Sequence, residues 1–275
     1  MSKQVQKKAI NLKATLLSGQ AFRIIEEVDN SFTIILKDRV VNIKEDNEYL
    51  IVDSNNEKNL EEVITEYLDL NRDYEEINKY LLNNNPELKE IIGYSRGYKI
   101  LNQPDFEMLI SYIISQNNSV RNISSSIEKI SKKYGKRVVF NNKEYYLFPT
   151  FEELKDATIE DLNECKVGFR SKYIINAIEE LKNNPNYLDN LNNMSSEDAM
   201  NKLMQIKGIG MKVASCILLF GYGKLDTFPI DTWVKKFFNE EDANKIKLMA
   251  FNKYGKYSGL VIQYMFHYSR NKNIL

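Results

Sequence analysis

The chain has 275 residues, with 38 Lys and Arg against 38 Asp and Glu, one His, two Cys and one Trp. At 43% hydrophobic and 28% charged it can bury a substantial core, which excludes global disorder and allows one large domain or two modest ones. Two cysteines exclude a disulfide scaffold, a four-Cys zinc site and a four-Cys iron–sulfur cluster, and the single His267 excludes a multi-His metal centre.

The N-terminal run MSKQVQKKAI is charged and lacks the apolar core of a signal peptide, and no apolar run reaches transmembrane length. The expectation is a soluble, cytoplasmic protein with reduced thiols and no membrane partner. The first 55 or so residues read as strands. Phe32, Ile34 and Leu36 alternate with Ser31, Thr33 and Ile35, and strands over 40–43 and 49–52 follow. Asp29-Asn30, Lys37-Asp38 and Asp46-Asn47 are turn signals between them, so an antiparallel meander is expected.

From Asn59 the period becomes helical, with Leu60, Val63, Ile64, Tyr67 and Leu68 on one face, and little further sheet is expected. Pro104 suits the first turn of a helix carrying Phe106, Leu109, Ile110, Ile113 and Ile114. That helix runs into the polar break Ser115-Gln116-Asn117-Asn118, and a second helix carries Val120, Ile123, Ile127 and Ile130. Further helices are predicted over 150–165, 171–183, 196–204, 211–220, 233–238 and 257–268. The fold class is α+β: a small N-terminal antiparallel sheet domain over residues 1–90, then a mostly helical domain over 91–275. Charge is uneven along the chain. Residues 201–275 hold 11 Lys and Arg270 against five acids, a net +7, which leaves −7 on residues 1–200. That fits a local polyanion-binding face, or an ordinary solvated Lys-rich surface.

The densest constellation lies at 195–231. Ser195 and Asp198 have capping-box spacing, and Ile206-Lys207-Gly208-Ile209-Gly210 joins the two predicted helices at about 196–220. The two glycines leave their amides unscreened beside a helix N-terminus, which suits a phosphate; a plain helix–helix turn is the alternative. Lys212 falls in the first turn of the second helix, where the dipole disfavours a cation and favours the neutral, nucleophilic amine. It reads otherwise as one more phosphate-contacting cation. Cys216, four residues on, shares its helix face, as pocket wall or as core. Asp231 follows Phe228-Pro229-Ile230 and opens the next helix, as an N-cap or as a carboxylate facing a developing positive charge.

The run Leu203-Met204-Gln205-Ile206-Lys207-Gly208-Ile209-Gly210-Met211-Lys212-Val213-Ala214, with Phe228-Pro229-Ile230-Asp231 after it, resembles the helix–hairpin–helix, Gly/Pro-rich loop and Asp signature of DNA glycosylases. The hairpin Lys is similar to that of the bifunctional branch. Ser18-Gly19-Gln20-Ala21-Phe22-Arg23 resembles the N-terminal motif of the 8-oxoguanine DNA glycosylase/lyase family. Ser115-Gln116-Asn117-Asn118 is similar to that family's Asn-rich loop, and Lys166-Val167-Gly168-Phe169-Arg170 to its wedge loop. The likeness, to bacterial and clostridial-like members, spans almost the whole chain in order. The absent cysteine cluster separates it from the iron–sulfur branch.

The resemblance implies a bifunctional repair glycosylase acting on duplex DNA with oxidised guanine. Lys212 would attack C1′ of an everted nucleotide, expel the base, form a Schiff base and nick the strand by β-elimination, with Asp231 stabilising the transition state. In the lesion-base pocket, Gly19 would offer its carbonyl to the N7 hydrogen of 8-oxoguanine, between Phe266 and Cys216. Asn117 would fill the vacated stack, Phe169 would wedge the duplex and Arg170 would hold the orphaned base, while amides at Gly208, Gly210 and Lys212 would grip phosphate. Carbonyls of Met204, Ile206 and Ile209 would hold a structural monovalent or divalent cation. The resemblance implies no required cofactor and no iron–sulfur cluster. It implies a monomer at the bacterial nucleoid.

Four positions depart from the family pattern. Asn122 stands where vertebrate-type members read cytosine with a second Arg, and Phe169 replaces a Tyr, so a relaxed opposite-base preference is expected. Ile262 stands where many members place a base-reading Gln, with Gln263 beside it about 100° away on a helix. Trp233 replaces a phosphate-binding His of some members and retains an N–H donor. The alternatives are a glycosylase for alkylated or other damaged bases, and a non-catalytic helix–hairpin–helix DNA-binding protein.

Overall fold

A computed structural model describes residues 2–272. Strands β1 (Lys3–Gln6), β2 (Ile24–Glu26), β3 (Phe32–Ile35), β4 (Val40–Asp46) and β5 (Tyr49–Ser54) form one antiparallel sheet in the order β1-β5-β4-β3-β2. Its centre is the predicted meander. The register places Phe32 opposite Ile43 and Ile43 opposite Val52, so one face carries Val5, Phe32, Ile34, Val41, Ile43, Leu50 and Val52. That face packs on Leu12 and Leu16 of α1 (Leu12–Leu16) and on Leu60 and Ile64 of α2 (Leu60–Tyr67). The edge strands β1 and β2 are short, and β1 has Val5 as its one apolar residue, so neither has a period to detect.

The helical part comprises α3 (Tyr74–Asn84), α4 (Lys89–Tyr94), α5 (Asp105–Ser115), α6 (Val120–Tyr134), α7 (Phe151–Leu154), α8 (Ile159–Glu164) and α9 (Ser171–Asn183). It continues with α10 (Tyr187–Asn193), α11 (Ser196–Met204), α12 (Met211–Tyr222), α13 (Thr232–Phe238), α14 (Ala243–Tyr254) and α15 (Ser258–Asn271). α5 and α12 pack together at the centre, with residues 107–114 and 213–220 buried on all sides. One core runs from Val5 to Leu70 and takes in Leu101, and a larger one starts at Tyr74 and reaches Met265. No helix of the described residues is long and apolar enough to cross a membrane.

The little sheet that follows Asn59 is β6 (Arg137–Phe140) and β7 (Lys143–Tyr146), a hairpin whose turn residues, Asn141 and Asn142, have φ of 49° and 58°. Asn tolerates that left-handed pair, which is the local signal for the turn. The hairpin's Phe140 and Tyr145 cover Ile35 and Val40 on the other sheet face, which explains why β3 is buried on both sides. Two expectations need correction. The single helix over 150–165 is two, α7 and α8, each with its own capping box, Thr150 with Glu153 and Thr158 with Asp161. Pro104 is the N-cap of α5 and does not lie within its first turn.

Candidate active site

The hairpin is built by capping. Ser195 Oγ accepts the Asp198 amide at 3.1 Å and donates to that carboxylate at 2.7 Å, which starts α11. After Met204 the chain tightens through Ile206 N to Leu203 O and Ile209 N to Ile206 O, at 3.1 and 3.0 Å. Gly208 has φ of 105°, and a Cβ there would lie 2.3 Å from the Tyr173 ring, so both backbone and space require glycine. Gly208→Ala is expected to cost about 1–3 kcal/mol in denaturant unfolding; a loss under about 0.5 kcal/mol would contradict this close packing. Gly210 caps α12 and faces open space. Among the described residues, the amides of Gly208, Gly210, Met211, Lys212 and Val213 have no acceptor. They form a concentrated donor cluster at a helix N-terminus, suited to an anion.

Lys212 stands exposed on the first turn of α12, and Cys216, four residues deeper on the same face, is buried. Asp231 is held by two devices. Its Oδ1 accepts the Val234 amide at 3.0 Å as the N-cap of α13. The loop before it is tied to α15, where Gly259 N donates to Leu225 O at 2.7 Å. α15 in turn supplies Ile262, Gln263 and Phe266, and the loop after α1 supplies Ser18, Gly19 and Gln20. All of these residues line one cavity of about 150 Å³, together with Tyr112, Phe220, Pro229, Trp233 and Val234. Among the described residues no ion pair locks the amine to a carboxylate, and Asp231 has a second oxygen without a hydrogen bond. A lysine amine and a carboxylate therefore share a recess sized for one ring system.

The recess has distinct walls. Gln20 fixes the N-terminal one: its Nε2 donates to Lys99 O and its Oε1 accepts Leu101 N, both at 2.9 Å, while its carbonyl accepts from Gln103 Nε2 and Tyr112 Oη. Gly19 beside it has φ of 89° and a carbonyl that takes no hydrogen bond among the described residues. Phe266 meets Trp233 edge-on at 5.6 Å, and Trp233 stacks on Phe237 at 5.7 Å. Burial pushes the Cys216 thiol up to about 12, with Asp231 adding to the rise and Lys212 opposing it. It is therefore a neutral, polarizable wall at any working pH. Ile262 and Gln263 both reach the cavity, and the Gln263 amide is unengaged among the described residues, so this stretch offers both an apolar and a polar group. Tyr112 and Phe220, stacked at 5.8 Å, were not singled out from sequence because they lie on fully apolar helices where nothing separates lining from core.

A second group forms a ridge. Asn117 is exposed with φ of 49° at the tip between α5 and α6, and Phe169 is 55% exposed at the tip before α9. Arg170, expected to reach an orphaned base, is buried between these tips. Its guanidinium donates to Gln116 O, to Asn117 O at 2.9 Å and to Val167 O at 3.1 Å, and stacks at 4.5 Å on the Phe169 ring. Phe169 meets Tyr173 at 5.9 Å, and Tyr173 abuts Gly208, so ridge and hairpin are continuous. Asn122 is exposed on the first turn of α6. No cluster of His, Cys, Asp and Glu among the described residues could hold a metal. At the hairpin, the Met204 and Ile209 carbonyls accept no hydrogen bond there, while that of Ile206 takes Ile209 N.

Residues 3–109 match the 8-oxoguanine DNA glycosylase N-terminal domain, and residues 110–247 match the HhH-GPD superfamily of base excision DNA repair proteins. A probable N-glycosylase/DNA lyase of Methanothermobacter thermautotrophicus is 30% identical, over 80% of this chain and 78% of its own. The 8-oxoguanine glycosylase/lyase of Clostridium acetobutylicum, solved with duplex DNA carrying cytosine opposite 8-oxoguanine, is 34% identical with a TM-score of 0.90. That match covers 99% of this chain and 98% of that one. A 3-methyladenine DNA glycosylase from Archaeoglobus fulgidus shares the fold over the full length of both chains, at 24% identity and a TM-score of 0.78.

Proposed function

This chain belongs to the 8-oxoguanine DNA glycosylase family of helix–hairpin–helix base excision repair proteins, and on that premise we propose that Lys212 is its nucleophile, acting on an everted 8-oxoguanine nucleotide. It is a DNA glycosylase with abasic-site lyase activity. The observation that carries the reading is that Lys212, Asp231, Gly19, Cys216 and Phe266, from four separate stretches of chain, line one cavity.

C1′ is shielded within a duplex, so the nucleotide must leave the stack. The Lys212 amine forms a bond to C1′ as the bond to the base breaks, and the base departs with that electron pair and takes up a proton. The ring then opens to an imine, which acidifies the 2′ hydrogens; loss of one expels the 3′ phosphate and nicks the strand. Asp231, with one oxygen held at its cap, turns the other toward the positive charge that develops on the sugar. The Gly19 carbonyl accepts the N7 hydrogen that guanine lacks, a difference of about 1–3 kcal/mol. Phe266 and Cys216 enclose the ring, and the amides at Gly208, Gly210 and Lys212 hold phosphate. Trp233 has its indole N–H available for a second phosphate. Carbonyls of Met204, Ile206 and Ile209 would hold a structural cation that braces the turn. We take the working unit to be a monomer at the bacterial nucleoid.

Asn117 enters the vacated stack and Phe169 wedges the duplex. Asn122 offers a short amide where a long cation would read cytosine, so excision is expected opposite all four bases within about tenfold. Four duplexes bearing 8-oxoguanine, and one bearing 3-methyladenine, test the reading. Release of 3-methyladenine with 8-oxoguanine left intact would overturn it. Arg170 braces the ridge by its carbonyl contacts, so Arg170→Met is expected to slow excision about tenfold or more, equally for every opposite base. A loss confined to one opposite base would show that Arg170 reads that base.

A further inference from the structure

A second cavity, of about 370 Å³, shares no lining residue with the one around Lys212. It lies where the sheet core ends at Leu70 and the helical core begins at Tyr74, and Gly97–Lys99 and Tyr264 of α15 close it. Lys99 points into it while only 3% exposed. Its Nζ lies 4.2 Å from the centre of the Tyr74 ring and, among the described residues, has neither a hydrogen-bond acceptor nor an ion-pair partner. A ring face can satisfy one N–H of an ammonium group, and the other two are left to the cavity.

The surroundings are those of an anion site. Lys8 and Arg72 also line the cavity, the first bonded to Asn71 Oδ1 at 2.9 Å and the second to Asp69. The lining carboxylates are both engaged: Asp73 caps α3 through the Glu76 amide at 2.9 Å, and Glu75 pairs with Arg96 at 3.6 Å. Asn78 Oδ1, also at this cavity, is buried without a donor. Burial pushes the Lys99 ammonium down to about 8, with Lys8 and Arg72 adding to the fall and the Asp69 and Asp73 carboxylates opposing it.

We infer that this cavity is a binding site for a small oxyanion of the size and charge of inorganic phosphate, seated on Lys99 with Lys8 and Arg72 at its sides. A phosphate hydroxyl would supply the donor that Asn78 Oδ1 lacks. The ligand we infer is the free ion and not the DNA backbone, because this cavity shares no lining residue with the one around Lys212.

The test is thermal unfolding of the free full-length chain at fixed pH and ionic strength, with inorganic phosphate replacing chloride. Phosphate at ten times its dissociation constant is expected to raise Tm by about 3–5 °C. The rise should vanish in Lys99→Met, which retains the packing on Tyr74 and leaves the hairpin's phosphate-binding amides intact. Duplex affinity should not change in that variant. If Lys99→Met does not fold, Lys8→Met, an exposed change, should weaken the phosphate effect severalfold. Phosphate no better than chloride, a full rise in Lys99→Met or Lys8→Met, or lost duplex affinity without a phosphate effect would each overturn the inference.

Discussion

Lys212→Gln is expected to fold as the parent does and to lose base release and strand nicking together, by about a thousandfold or more in single-turnover assays. The first half follows from exposure. Lys212 makes no hydrogen bond or ion pair among the described residues, so removing its amine should change stability by less than about 0.5 kcal/mol. The second half follows from chemistry, since a glutamine amide can neither attack C1′ nor form an imine. Parent-like base release with nicking lost would instead mean that water is the nucleophile, with Asp231 as its base.

Asp231→Asn separates the two roles of that residue. Asn caps a helix about as well as Asp, so the bond to the Val234 amide and the start of α13 should persist, with Tm changed by no more than about 2 °C. Base release should nevertheless fall by about a hundredfold or more, because the charge that faces the developing sugar cation is gone. Asp231→Ala should lose the same rate and about 1 kcal/mol of stability in addition. A parent-like rate in Asp231→Asn would reduce Asp231 to a cap. The two readings cannot both survive that comparison.

The predicted helices over 171–183 and 196–204 agree with α9 and α11 because period and length point the same way in both, and the Ser195 cap adds to them in α11. The meander was legible for the same reason. α14 was not named: Ile246, Ala250 and Tyr254 face the core, but Leu248, Met249 and Phe251 on the other side are exposed and blur its stripe. The β6–β7 hairpin was hidden by brevity, although Asn141-Asn142 marked its turn. In the site, residues whose chemistry is unusual for their position stood out, such as a lysine in a helix's first turn or a glycine pair between helices. Arg170 shows the limit. Its type and place suggested a base contact, and only the fold reveals that the carbonyls of Gln116, Asn117 and Val167 surround its guanidinium. Long-range partners of that kind leave no local trace. The question of Ile262 or Gln263 likewise could not be settled by helical phase, since the recess is wide enough for both.

Borohydride reduction during turnover on a duplex with a single 8-oxoguanine, followed by proteolysis and mass mapping of the adduct, examines the nucleophile itself. The expected result is one reduced sugar–peptide linkage on the segment containing Lys212, absent from Lys212→Gln. A linkage mapped to another lysine, or a released base with nothing trapped, would contradict it.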